Sequence, residues 1–334
     1  MKLSVSLGIS PRQSLVGWVD LAVTLEQRGV DRIWLIDSQL AMKDVYVGLA
    51  LAAAQTSRIE LGTGVTNILT RHPTVTAGSI AAVAELAPTR VLLGLGAGDS
   101  AVYGLGWSPA RIAAMEEASS FFRAVLAGES ATWEGREYRL PFTSSPVPLY
   151  LAVSQRRMCE LAGRVADGAI VMGPAQADFV QRQVGWIESG IRSAGRQRGD
   201  VEISLMTTLS ARDNPADALN DVRSWASTEA RLMADFAGLP PAFDRFRAEI
   251  RQARESYDYS QHLSTHAAHQ TGVGDELTRT LAVAGTPEEC ASRLSELART
   301  GVDSFIFPLL GGGRLARLDV LQRQVLPMVA ATEV

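Results

Sequence analysis

The chain has 334 residues, of which 46% are apolar, and a formal net charge of −4. That length holds one large domain or two of medium size, with enough apolar material for a substantial core. The slightly acidic balance and the lack of a basic stripe interleaved with aromatics argue against nucleic acid as a partner.

In chain order, short runs rich in Val, Ile and Leu alternate with helix-like stretches. Strands are predicted at residues 2–9 (KLSVSLGI), 32–37 (RIWLID), 59–65 (IELGTGV) and 90–98 (RVLLGLGAG). Four more follow at 148–153 (PLYLAV), 168–174 (GAIVMGP), 202–209 (EISLMTTL) and 304–310 (SFIFPLL). Eight strands separated by helices are the sequence form of a (β/α)8 TIM barrel in the α/β class, because parallel neighbours need helical crossovers. Continuous rather than alternating apolar character fits strands covered on both faces.

The helices agree. Residues 15–28 carry apolar side chains at helical spacing and stop at Gly29, a C′ glycine. Pro73 suits the first turn of a helix over 74–87, and Pro287, Glu288 and Glu289 open another over 288–300 that ends at Gly301. No repeat or low-complexity tract interrupts the chain, which reads as one domain over residues 1–334. Residues 210–285, between strands seven and eight, hold helical patterns without a barrel strand. Connections of that length in a compact domain serve as lids or insertions.

Two cysteines far apart in sequence, Cys159 and Cys290, lack metal-ligand spacing and suit a reducing cytoplasm. The N-terminus enters a strand without a signal pattern, and the apolar runs are too short to cross a bilayer. No membrane association and no metal site are expected. His262, His266 and His269 share a helical face, but no nearby acid or cysteine completes a zinc set, so they read as the polar face of a lid.

In such barrels the chemistry lies at the carboxyl ends of the strands. Strand two ends in Asp37-Ser38-Gln39, strand three in Gly64-Val65-Thr66-Asn67 with Arg71-His72 beyond, and strand four in Gly94-Leu95-Gly96-Ala97-Gly98-Asp99. Strand six ends in Gly173-Pro174 and strand eight in Gly311-Gly312-Gly313-Arg314. Glycines at several mouths leave backbone open to a large planar ligand, or else make tight turns. Two places suit an anion. One is Ser154, as N-cap of a helix over 155–165 with Arg156 and Arg157 in its first turn. The other is residues 311–314, which follow the last strand. Asp37 reads as a catalytic group, a substrate contact or a turn cap, and His72 as a ligand contact or a loop-ordering residue.

The segments "LGTGVTNILTRHPTVTAGSIAAVAEL" and "RVLLGLGAGDSA" resemble the bacterial luciferase-like superfamily. Within it they are most similar to the methylenetetrahydromethanopterin reductase branch, which uses coenzyme F420, a deazaflavin. The likeness continues through "AVSQRRMCELAGRVADGAIV" and "VAGTPEECASRLSELARTGVDSFIF" and so covers nearly the whole chain. The resemblance implies a barrel with a long helical insertion between strands seven and eight. It also implies a non-prolyl cis peptide at Gly64-Val65, pressed against the back of the cofactor ring. Thr66, Asn67, Gly96, Ala97 and Gly173 would line the same slot, and Ser154, Gln155 and Arg157 would reach the cofactor phosphate. Many F420-using relatives have Asp-His at the end of strand two, where this chain has Asp37-Ser38; Ala97 stands where some place an acid.

The expectation is an oxidoreductase that moves a hydride between F420 and a small organic substrate across a C=N or C=C bond. Asp37 would polarise the substrate or deliver a proton, with lid contacts from Tyr257, His262 or His266. The alternative is an FMN-dependent two-component monooxygenase supplied by a flavin reductase partner; a third is a non-catalytic flavin-binding protein. The resemblance further implies a homodimer.

Overall fold

The computed structural model describes residues 2–39, 41–142, 145–261 and 272–331. His262, His266 and His269 lie outside the described residues. The principal sheet counts nine strands because the third barrel strand is interrupted: Glu60–Thr63 and Thr66–Asn67 flank Gly64-Val65. The architecture is the (β/α)8 TIM barrel. The chain divides into two compact units, Met1–Ile170 with Gly185–Ser204, and Val171–Val184 with Leu205–Val334.

In the first unit, Leu3–Leu7 pairs in parallel with Arg32–Leu35, which pairs with Glu60–Thr63. Val91–Gly96 takes both pieces of the interrupted strand, with Leu61 opposite Val91 and Thr66 opposite Leu95. Leu149–Val153 follows on its other side. Every residue of Leu3–Leu7, Arg32–Leu35 and Val91–Gly96 is buried, as strands covered on both faces require.

The crossover helices carry local start and stop signals. Ser14 accepts a hydrogen bond from the Gly17 amide at 3.0 Å and caps Leu15–Gln27, which gives way to Gly29 at φ 76°. Trp18, Ala22 and Leu25 form its buried stripe, and the Trp18 indole donates to the Gly48 carbonyl of the next helix, Val45–Gln55, at 2.8 Å. Burying side chains of the size of Trp18 and Leu25 contributes roughly 1.5–3 kcal/mol each. Asp44 caps Val45–Gln55 through the Tyr46 and Val47 amides, and His72 caps Pro73–Leu86 by accepting from the Thr74 amide. The role of His72 is thus to order the loop and start a helix.

Arg32 is only 1% exposed. Its Nε donates to Glu60 at 2.6 Å, and Nη1 and Nη2 grip both oxygens of Glu202 at 2.9 and 3.1 Å. The Tyr150 hydroxyl donates to Glu202 as well, at 2.8 Å. Burial works against the charge on Arg32, but Tyr150, Glu202 and Glu60 outweigh it and raise its pKa. The same guanidinium lies 5.4 Å from the ring centre of Trp34 and 5.2 Å from that of Tyr150.

The second unit contains the strand Ser304–Pro308 and a small parallel sheet in which Leu209–Ala211 pairs with Val283–Gly285. The predicted strand at 202–209 reaches only Leu209 of the first and none of the second, because three residues are too few to show a period. Between them run the helices Pro215–Met233, Arg247–Glu255 and Asp275–Leu281. They enclose a cluster of Phe179, Ala226, Met233, Phe243, Phe246, Ile250 and Leu277, which gives this segment an apolar core of its own. Pro287–Ala298 begins with a reciprocal capping box between Thr286 and Glu289.

Candidate active site

Asp37 follows the second strand and is buried, its side chain 3% exposed. Both of its observed bonds fall on Oδ2, which accepts from Thr66 Oγ1 at 2.6 Å and from Arg71 Nη1 at 2.5 Å. Arg71 uses its other arm to donate to Asp44 Oδ2 at 2.9 Å, and its guanidinium lies 5.2 Å from the ring centre of Tyr46. Desolvation would lower the pKa of Arg71, but Asp37 and Asp44 more than compensate and hold it above its ordinary value. Asp44, although partly desolvated, stays below the usual carboxylate range through the Val47 amide and Arg71. Burial pushes the Tyr46 phenol up to about 12. The result is a charge-paired cluster that ties the ends of strands two and three together. Asp37 is an ion-pair partner here rather than a turn cap.

The peptide bond between Gly64 and Val65 is cis. Both residues are half-buried, whereas Thr66 and Asn67 after them are 0% and 3% exposed. The polar groups of those two are committed within the protein. Thr66 serves Asp37, and Asn67 Oδ1 accepts from the Leu69 and Thr70 amides, both at 2.9 Å, in a turn that launches the loop toward Arg71.

The glycines of the fourth strand answer to a close approach. A Cβ on Gly94 would stand 2.1 Å from the Thr63 carbonyl oxygen, and one on Gly96 would stand 2.8 Å from Val65 Cγ2. At these two positions a side chain would meet the neighbouring strand or Val65, so the glycines allow that close packing. Gly98, at φ 103°, turns the chain out toward Asp99. Ala97 is half-buried and its carbonyl accepts from the Ala110 amide at 2.7 Å. The Ser38 and Ser100 hydroxyls bond each other at 3.0 Å, joining the loops after strands two and four.

Leu149–Val153 runs parallel beside Val91–Gly96 with Leu95 opposite Leu151, so Ser154 and Gln155 emerge at the same end of the sheet as Gly96 and Ala97. The helix they precede is Arg156–Val165, with Gln155 rather than Ser154 at the N-cap position. Arg156 is paired with Glu160 at 2.7 Å, while Arg157 is exposed and forms no ion pair among the described residues. Gly173 belongs to the second unit, at φ 136° beside Phe179. Tyr257, also in the second unit, is buried and its hydroxyl shares a hydrogen bond with Thr228 at 3.0 Å.

Sequence reasoning missed Asp44 and Tyr46 as members of the cluster around Arg71. The signal for Asp44 was its place immediately before a helix; nothing local pointed to Tyr46.

Residues 4–304 match the luciferase-like monooxygenase family. A 5,10-methylenetetrahydromethanopterin reductase from Methanolobus tindarius is 30% identical over 293 residues, covering 84% of this chain and 86% of that protein. The solved structure of a coenzyme F420-dependent tetrahydromethanopterin reductase from Methanopyrus kandleri superposes with a TM-score of 0.77 at 21% identity, covering 98% of this chain and 99% of that one. The oxygenating constituent of 3,6-diketocamphane monooxygenase from Pseudomonas putida, solved with FMN, shares the fold at a TM-score of 0.67 and 16% identity, covering 98% of each chain. These relatives are enzymes, and the chain belongs to the luciferase-like monooxygenase family.

Proposed function

We propose that the protein is an oxidoreductase that transfers a hydride between coenzyme F420 and a small organic substrate, across a C=N or C=C bond. The observation that carries this reading is the similarity, over 84% of the chain, to a methylenetetrahydromethanopterin reductase. The half-exposed shelf of Gly64 and Val65 supports it. The backbone and one isopropyl group, backed by buried strand, make the kind of surface against which a flat tricycle rests.

When bound, the deazaflavin supplies the ring carbon that gives or takes the hydride. The protein's share is alignment and proton handling. Gly64 and Val65 would support the ring, with Thr66 and Asn67 fixing the shelf from behind and Gly96, Ala97 and Gly173 beside it. Ser154, Gln155 and Arg157 would take the cofactor phosphate. Asp37, anchored through Oδ2, leaves Oδ1 as the carboxylate oxygen available to a substrate donor. The same reading assigns catalytic contacts to His262 and His266, which lie outside the described residues, and takes residues 1–334 as a single catalytic domain.

FMN is the second reading, favoured by the shared fold with an FMN-bound monooxygenase. In that case a flavin reductase would supply the reduced cofactor. Titration of the purified protein with F420 and with FMN, each oxidised and reduced, separates the two. Preference for FMN, with oxygen consumed once substrate is present, overturns the F420 assignment; tight binding of neither favours a non-catalytic protein.

Among the described residues no helix is long and apolar enough to cross a membrane; the cytoplasmic location we propose rests instead on the two free, buried cysteines, Cys159 and Cys290. We also propose a homodimer. Val16, Val47, Leu51, Val75 and Leu86 are 36–72% exposed on three successive crossover helices. The middle helix, Val45–Gln55, contains no charged residue, an unusual outer face for an isolated barrel.

A further inference from the structure

The last barrel strand, Ser304–Pro308, leads into a loop with three consecutive glycines, and the two arginines that follow it fold back onto that loop. Arg314 Nε donates to the Gly311 carbonyl at 3.0 Å, and Arg317 Nη2 donates to the Leu310 carbonyl. Two guanidinium groups are therefore gathered over one short stretch of backbone. Neither forms an ion pair among the described residues. The acid nearest in role, Asp221, is already used: it accepts from Arg212 at 2.7 and 3.1 Å and from the Ser210 hydroxyl at 2.7 Å.

This arrangement is electrostatically unfavourable as it stands. Partial burial and the presence of Arg317 both push the pKa of Arg314 down; burial does the same to Arg317, only partly offset by Asp221. Half-buried like charges placed together, with no ion-pair partner among the described residues and only a partial offset from Asp221, are a feature that a folded chain does not need for its own stability. The backbone adds donors of the same kind. Gly311 and Gly313 adopt φ 66° and 67°, and the amides of Gly312 and Gly313 donate to no partner among the described residues. Each guanidinium spends only one nitrogen on a carbonyl. The remaining N–H groups, in the planar fork geometry of arginine, match the oxygens of a phosphate.

We propose that residues 311–313 together with the side chains of Arg314 and Arg317 form a binding site for a phosphate-bearing ligand, distinct from the one assigned above to Ser154, Gln155 and Arg157. A dianion there neutralises two charges that form no ion pair among the described residues. The site stands independently of the hydride-transfer reading, because all of its groups lie within the second unit.

The test is isothermal titration calorimetry of the full chain with inorganic phosphate, at ionic strength held constant with sodium chloride, and in parallel with F420. The proteins compared are wild type, Arg314→Gln/Arg317→Gln, Arg317→Gln alone and Arg157→Gln, each checked for fold by circular dichroism. The expected result is saturable phosphate binding by the wild type, weakened at least tenfold in the double variant and retained in Arg157→Gln, with F420 affinity unchanged in the double variant. Parallel loss of F420 affinity in the double variant overturns the proposal of a separate site, because it moves the cofactor's own phosphate from Ser154, Gln155 and Arg157 to these arginines. No phosphate binding by the wild type, or equal binding by wild type and double variant, overturns the proposal. Should the double variant fail to fold, Arg317→Gln decides on the same criterion.

Discussion

Asp37 and Arg71 are 34 positions apart in sequence and form a 2.5 Å ion pair that is almost wholly withdrawn from solvent on the carboxylate side. Replacing Arg71 with Met leaves the Asp37 carboxylate buried with only the Thr66 hydroxyl to satisfy it. Removing one partner of a buried pair costs about 3–5 kcal/mol, and the 19% exposure of Arg71 places this case at the lower end. Urea denaturation of Arg71→Met against wild type measures it. Equal midpoints would show that the pair contributes nothing to holding the two strand ends.

The Asp37→Asn variant keeps the shape and removes the charge. If Asp37 handles a proton, turnover falls by about 10²–10⁴-fold while the circular dichroism spectrum is unchanged. Normal turnover in a folded variant takes Asp37 out of the chemistry and leaves it a structural role only.

The shelf itself is testable through its supports. In Gly96→Ala the new methyl stands 2.8 Å from Val65 Cγ2, and the β-branched valine has little rotamer freedom with which to yield. The expected outcome is a shifted Val65 and a cofactor affinity at least tenfold weaker, with overpacking costing about 1–3 kcal/mol of stability. Fluorescence titration with F420 reads the first and thermal melting the second.

Alkaline stability follows from Tyr46. Its phenol is raised to about 12, so the folded state holds that proton more tightly than the unfolded chain does, where the ordinary value is near 10. The stabilisation is complete below about pH 10 and is lost as pH rises from there through 12. Tyr150, raised chiefly by burial, slopes in the same direction. Urea midpoints at pH 9, 10 and 11 should fall in the wild type and fall less steeply in Tyr46→Phe.

The proposed dimer is tested at the exposed apolar residues of Val45–Gln55 and Pro73–Leu86. A Leu51→Asp/Val75→Asp variant should run as a monomer in size-exclusion chromatography with light scattering, where the wild type runs as a dimer. A wild-type monomer would mean that this face is covered by something else or by nothing.

Much of the fold was legible because the barrel strands are covered on both faces and so appear as unbroken apolar runs. The predicted runs at 32–37 and 90–98 contain the observed strands Arg32–Leu35 and Val91–Gly96. Helix starts were readable from Pro73 and Pro287, and helix stops from Gly29 and Gly301. The hairpin of Ala131–Trp133 with Arg136–Tyr138 went unread; its signal was the Glu134-Gly135 pair, where both residues have positive φ. The site was legible only in outline. Gly94 and Gly96 were noticed, but what fills the space beside them depends on Val65, a residue on another strand. The same limit hid Arg71's partners, since an ion pair between distant positions leaves no periodic trace.

Arg32 shares its charge between Glu60, 28 positions away, and Glu202, 170 positions away. A polypeptide cut after residue 170 would therefore carry a guanidinium deprived of its bidentate carboxylate. During synthesis the same shortage lasts until residue 202 has left the ribosome, so the nascent first unit must wait for a distant glutamate before the Nη groups of its buried guanidinium find that acceptor. Fragments 1–170 and 171–334 mixed together should regain structure that neither has alone, and Arg32→Ala in the first fragment should weaken that recovery.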